Sequence, residues 1–373
     1  MRREFKFGAA LATAALVLGA CGTASTNSTS SSACGLEVGF FGALTGDAAN
    51  LGINIKQGVQ LAVDEYNKKH ADCKVALKTF DSQGDPSVAP GLASEAVKDK
   101  KLIGIVGPAF SGESKAADPI FNSAGLNLIS ASATNPKLST NGWKVFHRIL
   151  GNDATQGPAA AKYITDILKA KTVFVVDDAS EYGKGLADIV RGKLGTHAGD
   201  DTVQQKQTDF SATVAKVTAA NADALFYGGY YAEAGLLVKQ LRAAGWKGTF
   251  VAADGVKDDG YIKAAGAASE GTILTCPCLP PDKAAGFSAA YKAEFNSDPA
   301  TYSAEAFDAA NVFLDGIAAG KTTNAAMNAW IASYDKQGVT KRVKFLANGE
   351  PAEVSVWAYK VTGGKIVADQ EIK

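Results

Sequence analysis

Residues 102–136, LIGIVGPAFSGESKAADPIFNSAGLNLISASATNP, contain the pattern that decides the fold. The apolar run 102–106 has the length of a buried strand and ends at a Gly-Pro pair. A helical pattern follows over 114–124, and a second short apolar run occupies 127–130. A strand, a helix and a strand of these lengths are typical of the βαβ unit of a parallel sheet.

The same alternation extends in both directions along the chain. Strands are predicted at 36–44, 74–80, 172–177, 202–206, 223–227 and 248–253, and helices at 53–67, 86–98, 155–169, 181–194, 211–220 and 232–244. The last third predicts helices at 283–296, 302–319 and 323–335 and strands at 341–346 and 353–361. Because the alternation forms two series, we predict an α/β protein with two doubly wound parallel-sheet lobes.

Residues 1–20 are typical of an export signal, because a basic start precedes the apolar run 8–20. That run is shorter than the roughly 20 residues that span a bilayer. It ends in Leu-Gly-Ala before Cys21, a sequence that resembles a bacterial lipobox and implies lipidation of this cysteine. An ordinary signal peptide is the alternative. We predict that residues 21–33 form a flexible tether with a lipid on its first residue. The protein is then expected on the outer face of the cytoplasmic membrane.

Four further cysteines favour disulfides in an exported protein, and four cysteines allow three pairings. Cys34 and Cys73 each precede a predicted strand, and neighbouring parallel strands start at one sheet edge, so this pair is geometrically reasonable. Cys276 and Cys278 would then pair within a tight loop or remain reduced. The spacing does not fit zinc and the three histidines do not cluster with the cysteines, so no metal is expected.

The composition and motifs exclude several classes of function. The 38 basic side chains balance 38 acidic ones, which gives no electrostatic footprint for nucleic acid. The chain shows no phosphate-binding glycine loop and no nucleophile beside a base, so neither a cofactor nor catalysis is expected. His147 is predicted to be a packed histidine, because the adjacent Arg148 disfavours its charged form.

Loops that follow the predicted strands are the candidate binding site. Open α/β sheets bind ligands at the carboxyl ends of their strands. The loops after 36–44, 102–106 and 127–130 combine Gly, Ser and Thr where helices begin, and helix N-termini suit a carboxylate or a phosphate. The alternative is that Ser111 and Thr134 are only helix caps.

The second series places Tyr182, Tyr230 and Asp254 after its strands. Two aromatic rings and a carboxylate can hold a cation beside an apolar group, and Asp254 can pair with an ammonium. The alternatives are an N-cap role for Asp254 and a packed rim for the tyrosines.

Several of these segments, in order and with their spacing, resemble the branched-chain amino-acid binding proteins of ABC transporters, which have the type I periplasmic binding fold. They are DSQGDP at 81–86, QGPAAAKYI at 156–164, YGKGLA at 182–187, YGGY at 227–230 and SAEAFDAA at 303–310. The resemblance implies a monomeric protein that closes on a small amino-acid-like ligand and delivers it to a membrane permease. A sensor for amides or similar solutes, signalling to a membrane receptor, is the alternative, and an extracellular enzyme is the rival from another class.

The resemblance also implies roles for residues of the first lobe. Ser111 and Thr134 would bind the ligand carboxylate. The Ser132 carbonyl and the Thr134 hydroxyl would meet the α-ammonium.

In the second lobe, Asp254 stands where the family often has Glu, one methylene longer. Tyr182 and Tyr230 would close over the ligand. Tyr302 aligns with an aromatic residue that lines the side-chain pocket.

Two positions depart from the family's pattern and leave the ligand's identity open. Leu51 stands where relatives carry an aromatic residue, and Phe110 stands where a smaller residue occurs. Glu113 could favour a polar or cationic ligand. We expect it instead to be an exposed carboxylate in the first turn of a helix, where the helix dipole favours it.

The family's chain crosses between its lobes three times, which implies a three-stranded hinge near 148–150, 275–278 and 344–346. These crossings divide the chain into lobe 1 (34–149 and 279–345) and lobe 2 (150–278 and 346–373). The Cys276–Cys278 segment would then lie at the hinge.

Overall fold

The computed structural model describes residues 34–373. The predicted signal peptide, the lipidation site at Cys21 and the tether up to residue 33 lie outside the described residues. Within the described part, no helix is both long and apolar enough to cross a membrane.

The first third of the described chain builds a five-stranded, wholly parallel sheet in the order β2-β1-β3-β4-β5. Its strands are β1 (Glu37–Gly42), β2 (Ala76–Asp81), β3 (Leu102–Val106), β4 (Leu128–Ser130) and β5 (Phe146–Arg148), and its helices are α1 (Ala49–Lys69), α2 (Ala89–Ala96) and α3 (Ser111–Ala124). Every residue of β3 is buried, as expected for a strand covered by helices on both faces. We call the body around this sheet lobe 1.

A second, seven-stranded sheet has the order β14-β13-β10-β9-β8-β6-β7. Its parallel part comprises β6 (Val173–Asp177), β7 (Gly199–Thr202), β8 (Ala224–Gly228), β9 (Thr249–Ala252) and β10 (Ile273–Cys276), with α4 (Asp153–Lys162), α5 (Glu181–Leu194), α6 (Ser211–Ala219), α7 (Tyr231–Ala243) and α8 (Asp259–Ala265). We call the body around this sheet lobe 2.

The remaining elements are α9 (Ala285–Phe295), α10 (Ser303–Ala318), α11 (Asn324–Ala332), β11 (Asp335–Gln337), β12 (Arg342–Lys344), β13 (Trp357–Thr362) and β14 (Lys365–Glu371). The three helices return to lobe 1, where α10 packs along α1, whereas β13 and β14 join the sheet of lobe 2. The chain therefore passes between the two sheets three times, after β5, after β10 and between β12 and β13.

The sheet of lobe 2 is not wholly parallel, which differs from the expectation. β13 runs antiparallel to both β10 and β14. The pairing of β13 with β14 follows from the two-residue turn between them, where Gly363 and Gly364 have φ values of 58° and 70°. Such a turn requires positive φ at both positions and reverses the chain at once.

Other boundaries also differ from the prediction. Helices α1 and α3 begin at Ala49 and Ser111, several residues earlier than predicted, and β7 ends where its predicted strand begins. The predicted elements omit five that the structure contains, namely β5, α8, β10, β11 and β14. These are short or largely exposed, so that they give little hydrophobic periodicity.

The described residues contain two disulfides, one at the start of lobe 1 and one at the end of β10. Cys34 is joined to Cys73 just before β1 and β2, and Cys276 is joined to Cys278 at the end of β10. The second disulfide is buried and lies where the chain leaves lobe 2.

Close contact between α1 and α10 depends on Gly58. A Cβ atom at this position would lie 2.1 Å from the carbonyl oxygen of Ser303. We therefore expect Gly58→Ala to lower the free energy of unfolding by about 1–3 kcal/mol, the usual cost of overpacking a core. Urea denaturation measures the change. Gly192→Ala is the matched control, because Gly192 lies within α5 with open space around its Cβ position; it should stabilise by about 0.5–1 kcal/mol. Equal effects of the two substitutions would contradict this packing.

Candidate functional site

A cavity of about 260 Å³ lies between the loops at the carboxyl ends of the strands of both sheets. It is lined by Leu51, Ala109, Phe110, Ser111, Ser132, Tyr182, Tyr230, Asp254, Gly255 and Tyr302. Eight of the nine residues that we predicted to bind the ligand are in this set, and Thr134 is the one that is not.

On the lobe 1 side of the cavity, serine hydroxyls join the loop after β4 to the loop after β3 by hydrogen bonds. The Ser132 hydroxyl donates to the carbonyl of Ala109 at 2.6 Å, and the Ser130 hydroxyl donates to that of Pro108 at 2.8 Å. Ser111 is the first residue of α3 rather than its cap, and its hydroxyl accepts from the Asn135 amide at 3.2 Å. The cap interpretation of Ser111 is therefore wrong, and the free N–H groups of the α3 N-terminus lie beside the cavity.

Thr134 is fully buried next to this wall, and its hydroxyl oxygen has no hydrogen-bond partner among the described residues. The cap of the short 3-10 helix that follows is Asn135, whose side chain accepts from the amide of Lys137. Thr134 therefore does not act as a helix cap either, and its role in ligand binding remains a prediction.

Glu113 corrects the expectation of an exposed carboxylate. Its side chain is fully buried, and it accepts hydrogen bonds from the Ser82 hydroxyl and, at 3.3 Å, from the Phe110 amide. Burial raises the pKa of Glu113 to about 8. The group is covered by the loop after β2, a contact between residues 31 positions apart that the local sequence does not reveal.

Asp254 is the carboxylate of the lobe 2 side and is buried. One of its oxygens accepts from Gln156 and from the Tyr182 hydroxyl, each at 2.7 Å. The other accepts a short hydrogen bond from the hydroxyl of Tyr302, which comes from lobe 1. The side chain caps no helix, since the residue lies inside a 3-10 turn that starts at Asp254 itself. Burial raises the pKa of this carboxyl, and the three hydrogen bonds oppose that rise.

The backbone of Tyr302 supports a functional role. Its φ of 71° lies in the left-handed region, which a bulky residue rarely adopts. Such conformations persist where the surrounding structure holds them and cluster at ligand sites. Here the conformation brings the Tyr302 hydroxyl to Asp254 across the cleft.

Three functional residues were not singled out from the sequence. Gln156, although part of a quoted motif, was given no role, yet it donates to Asp254. Asp153 is fully buried, and neither of its carboxyl oxygens has a hydrogen-bond partner within the described residues. Burial, and next the charge of Asp254, raise the pKa of Asp153 to about 8. Asp153 therefore adds a buried acidic group beside Asp254, the carboxylate that can pair with a cationic ligand group.

Arg148 is the third residue and lies at the first crossing between the lobes. Its buried guanidinium donates to the carbonyls of Ala133 at 2.8 Å and Asn135 at 3.0 Å, and to Glu350 at 2.8 Å. It therefore ties the loop that contains Thr134 to the segment between β12 and β13. A buried charge with several acceptors in one loop fixes that loop's shape.

His147 is buried, as expected, and packs against the ring of Phe345. Its pKa is lowered to about 4, mainly because burial disfavours the charged imidazole. The neighbouring arginine, to which we attributed this effect, is not the main cause. His147 is not among the residues that line the cavity.

Two α/β lobes meet with the carboxyl ends of their strands at one cavity, which has a helix N-terminus at one side and a buried carboxylate at the other. This arrangement is typical of a solute-binding protein. A family model described as periplasmic binding protein matches residues 35–365. The chain belongs to this family.

Individual relatives support the same assignment. The chain is 31% identical over 346 residues to the Leu/Ile/Val-binding protein BraC3 of Rhizobium johnstonii, covering 89% of this chain and 93% of the relative. It is 33% identical over 249 residues to the leucine-specific-binding protein of Salmonella typhimurium, covering 65% of this chain and 67% of the relative.

A solved structure of a similar protein has the same fold. It is the branched-chain amino acid transporter substrate binding protein LivJ from Streptococcus pneumoniae in complex with isoleucine. The TM-score is 0.84 at 28% identity, and the match covers 90% of this chain and 98% of that one.

The raised pKa of Glu113 predicts how stability depends on pH. A carboxyl whose pKa is higher in the folded than in the unfolded state stabilises the folded protein. This contribution is complete at pH values below the unfolded pKa of about 4.5. That stabilisation is lost as the pH rises to about 8. We expect Glu113→Gln to reduce the fall in the free energy of unfolding between pH 5 and pH 7 by as much as about 2 kcal/mol. Urea denaturation at both pH values measures it. Glu353→Gln, at an exposed position, is the control, and an unchanged slope in Glu113→Gln would refute the account of this group.

Proposed function

We propose that this protein binds a branched-chain or similar small α-amino acid between its lobes and delivers it to an ABC permease. The observation that carries the proposal is the cavity's two chemically opposite sides. The N-terminus of α3 and Ser111 offer donors to a carboxylate, and Asp254 offers an acceptor to an ammonium. Between them, Leu51 and Phe110 provide apolar surface for a side chain.

The similar proteins support this ligand class. BraC3 is named for leucine, isoleucine and valine, and the solved LivJ structure holds isoleucine. The Asp254 side chain is one methylene shorter than the Glu frequent in the family. We infer that the ammonium lies closer to Tyr182 and Tyr302, whose hydroxyls already point at this carboxylate.

We propose that the lobes comprise 34–149 with 279–345 and 150–278 with 346–373, and that they open and close about the three crossings. Hydrogen bonds that join the lobes support a closed state. The side-chain amides of Asn50 and Asn54 on α1 donate to Asp258, at 2.8 and 3.3 Å. At another edge, Lys115 pairs with Glu181 at 2.8 Å. Because these bonds form only when the lobes meet, they stabilise the closed form together with the ligand.

We also propose that Cys21 carries a lipid anchor on the outer face of the cytoplasmic membrane, and that the protein acts as a monomer. The apolar run 8–20 and the small residues before Cys21 support the anchor. A sensor that signals to a membrane receptor would use the same cavity. Recovery of a permease or of a receptor in crosslinked membranes separates the two functions.

Isothermal titration of residues 34–373 with L-leucine, L-isoleucine and L-valine tests the ligand class. We expect binding of at least one of them, and Asp254→Asn should weaken it about 10- to 100-fold, because a hydrogen bond to a charged group contributes about 1.5–3 kcal/mol. Asp188→Asn is the control, since Asp188 lies on the solvent side of α5 and, within residues 34–373, bonds only to Lys184 and Arg191. Wild-type protein that binds none of the three would refute the proposal.

The bonds between the lobes make a separate prediction. The double substitution Asn50→Ala and Asn54→Ala should weaken amino-acid binding several-fold, because two hydrogen bonds of about 0.5–1.5 kcal/mol each are lost from the closed state only. Titration calorimetry measures affinity, and small-angle scattering measures closure. Gln60→Ala removes a hydrogen bond on the same helix that stays within lobe 1, to Asp64. If that control lowers affinity as much as the double variant does, the closing role of Asp258 is wrong.

A further inference from the structure

Two cavities in the cleft share a wall. The ligand cavity described above ends at Phe110 and Tyr230, and the same two residues line a second cavity of about 900 Å³ that opens to solvent. We call this second cavity the vestibule. Pro86, Gly112 and Ala116 give it apolar surface, and Lys115 and Glu181 lie at its edge.

The shared wall is a pair of aromatic rings, one from each lobe. Phe110 follows β3 and Tyr230 follows β8, and their ring centres are 5.3 Å apart at an interplanar angle of 84°. Tyr230 also packs against Tyr182, with ring centres 5.3 Å apart. The wall is therefore continuous with the aromatic side of the ligand cavity.

Phe110 is held in this place by its backbone. It is the N-cap of α3, its carbonyl accepts from the amide of Ser114 at 2.9 Å, and its own amide donates to Glu113 at 3.3 Å. Phe110 is 7% exposed. Because the start of the helix fixes this backbone, the ring can move only by rotation about its own side-chain torsions.

The chemistry beyond the wall suits an apolar group. Lys115 and Glu181 pair with each other at 2.8 Å, so that neither presents an unpaired charge to the vestibule. A Cβ atom at Gly112 would lie 2.7 Å from Pro86, so this part of the lining is closely packed and does not collapse readily into the space.

We propose that the Phe110–Tyr230 pair sets the maximum length of the ligand side chain, and that the vestibule is a second subsite that receives an aromatic side chain once the Phe110 ring is removed. The inference rests on the proposed function. Of the two residues, we assign specificity to Phe110. Its ring can be removed while the Tyr230 ring stays supported, because Tyr230 also packs against Tyr182. In the native protein the wall excludes amino acids with long aromatic side chains and retains short branched ones.

Titration calorimetry with L-leucine and L-phenylalanine tests the proposal on wild-type protein, Phe110→Ala and the double variant Phe110→Ala with Ala116→Leu. Wild-type protein should prefer leucine. Phe110→Ala should gain at least about tenfold in affinity for phenylalanine, since a change of one methylene in an apolar pocket already alters binding about 10- to 200-fold. The double variant refills the vestibule and should lose that gain.

Leu51→Ala is the matched control, because Leu51 lines the ligand cavity and not the vestibule. It should not gain phenylalanine binding to the same extent. Thermal unfolding checks that each variant is folded, and Phe110→Leu, which shortens the wall less, should show a smaller gain.

Two results would overturn the inference while the proposed function stands. One is a Phe110→Ala or Phe110→Leu protein that binds leucine without any gain for phenylalanine, and the other is wild-type protein that binds both amino acids equally. Wild-type protein that binds neither branched-chain amino acids nor phenylalanine would overturn the proposed function, and this inference with it.

Discussion

A carboxylate removed from water needs donors or a cation, and Asp254 is only 1% exposed. Its donors come from both lobes: Gln156 and Tyr182 from lobe 2, and Tyr302 from lobe 1. The hydrogen bond from Tyr302 therefore joins the two lobes directly. The state of this one carboxylate therefore links the chemistry of the cavity to the relative position of the lobes.

The surrounding groups set the electrostatics of the cavity. Glu113 and Asp153 are buried with pKa values raised to about 8, so both are mainly protonated at neutral pH. Asp254 keeps three donors that favour its charged form. An ammonium group beside Asp254 would favour the ionised form further, and this carboxylate and the helix N-terminus at the lobe 1 side then suit the two opposite charges of a small zwitterion.

Much of this arrangement is predictable because it follows from local patterns. Strand 102–106 and helix 181–194 have the bounds that apolar runs and helical periodicity predict. The lining residues follow strands whose carboxyl ends meet at one place, and the family resemblance adds their roles. β14 escapes prediction because most of its residues are exposed and polar, so no apolar pattern marks it.

Contacts between distant segments account for what the sequence does not reveal. Gln156 meets Asp254 across 98 positions, and Arg148 meets Glu350 across 202. The pattern of its own helix predicts that Glu113 is a surface residue. Only the fold shows that the loop after β2 covers it. Whether a charged residue is buried depends on which segments pack over it, and no short stretch of sequence contains that information.

The most direct test of the central claim is a crystal structure of residues 34–373 grown with L-leucine. The account predicts closed lobes, with the ligand carboxylate at Ser111 and the N-terminus of α3, and with the ammonium at Asp254 beside Tyr182 and Tyr302. A ligand bound elsewhere, or bound in the cavity with its ammonium directed away from Asp254, would contradict it.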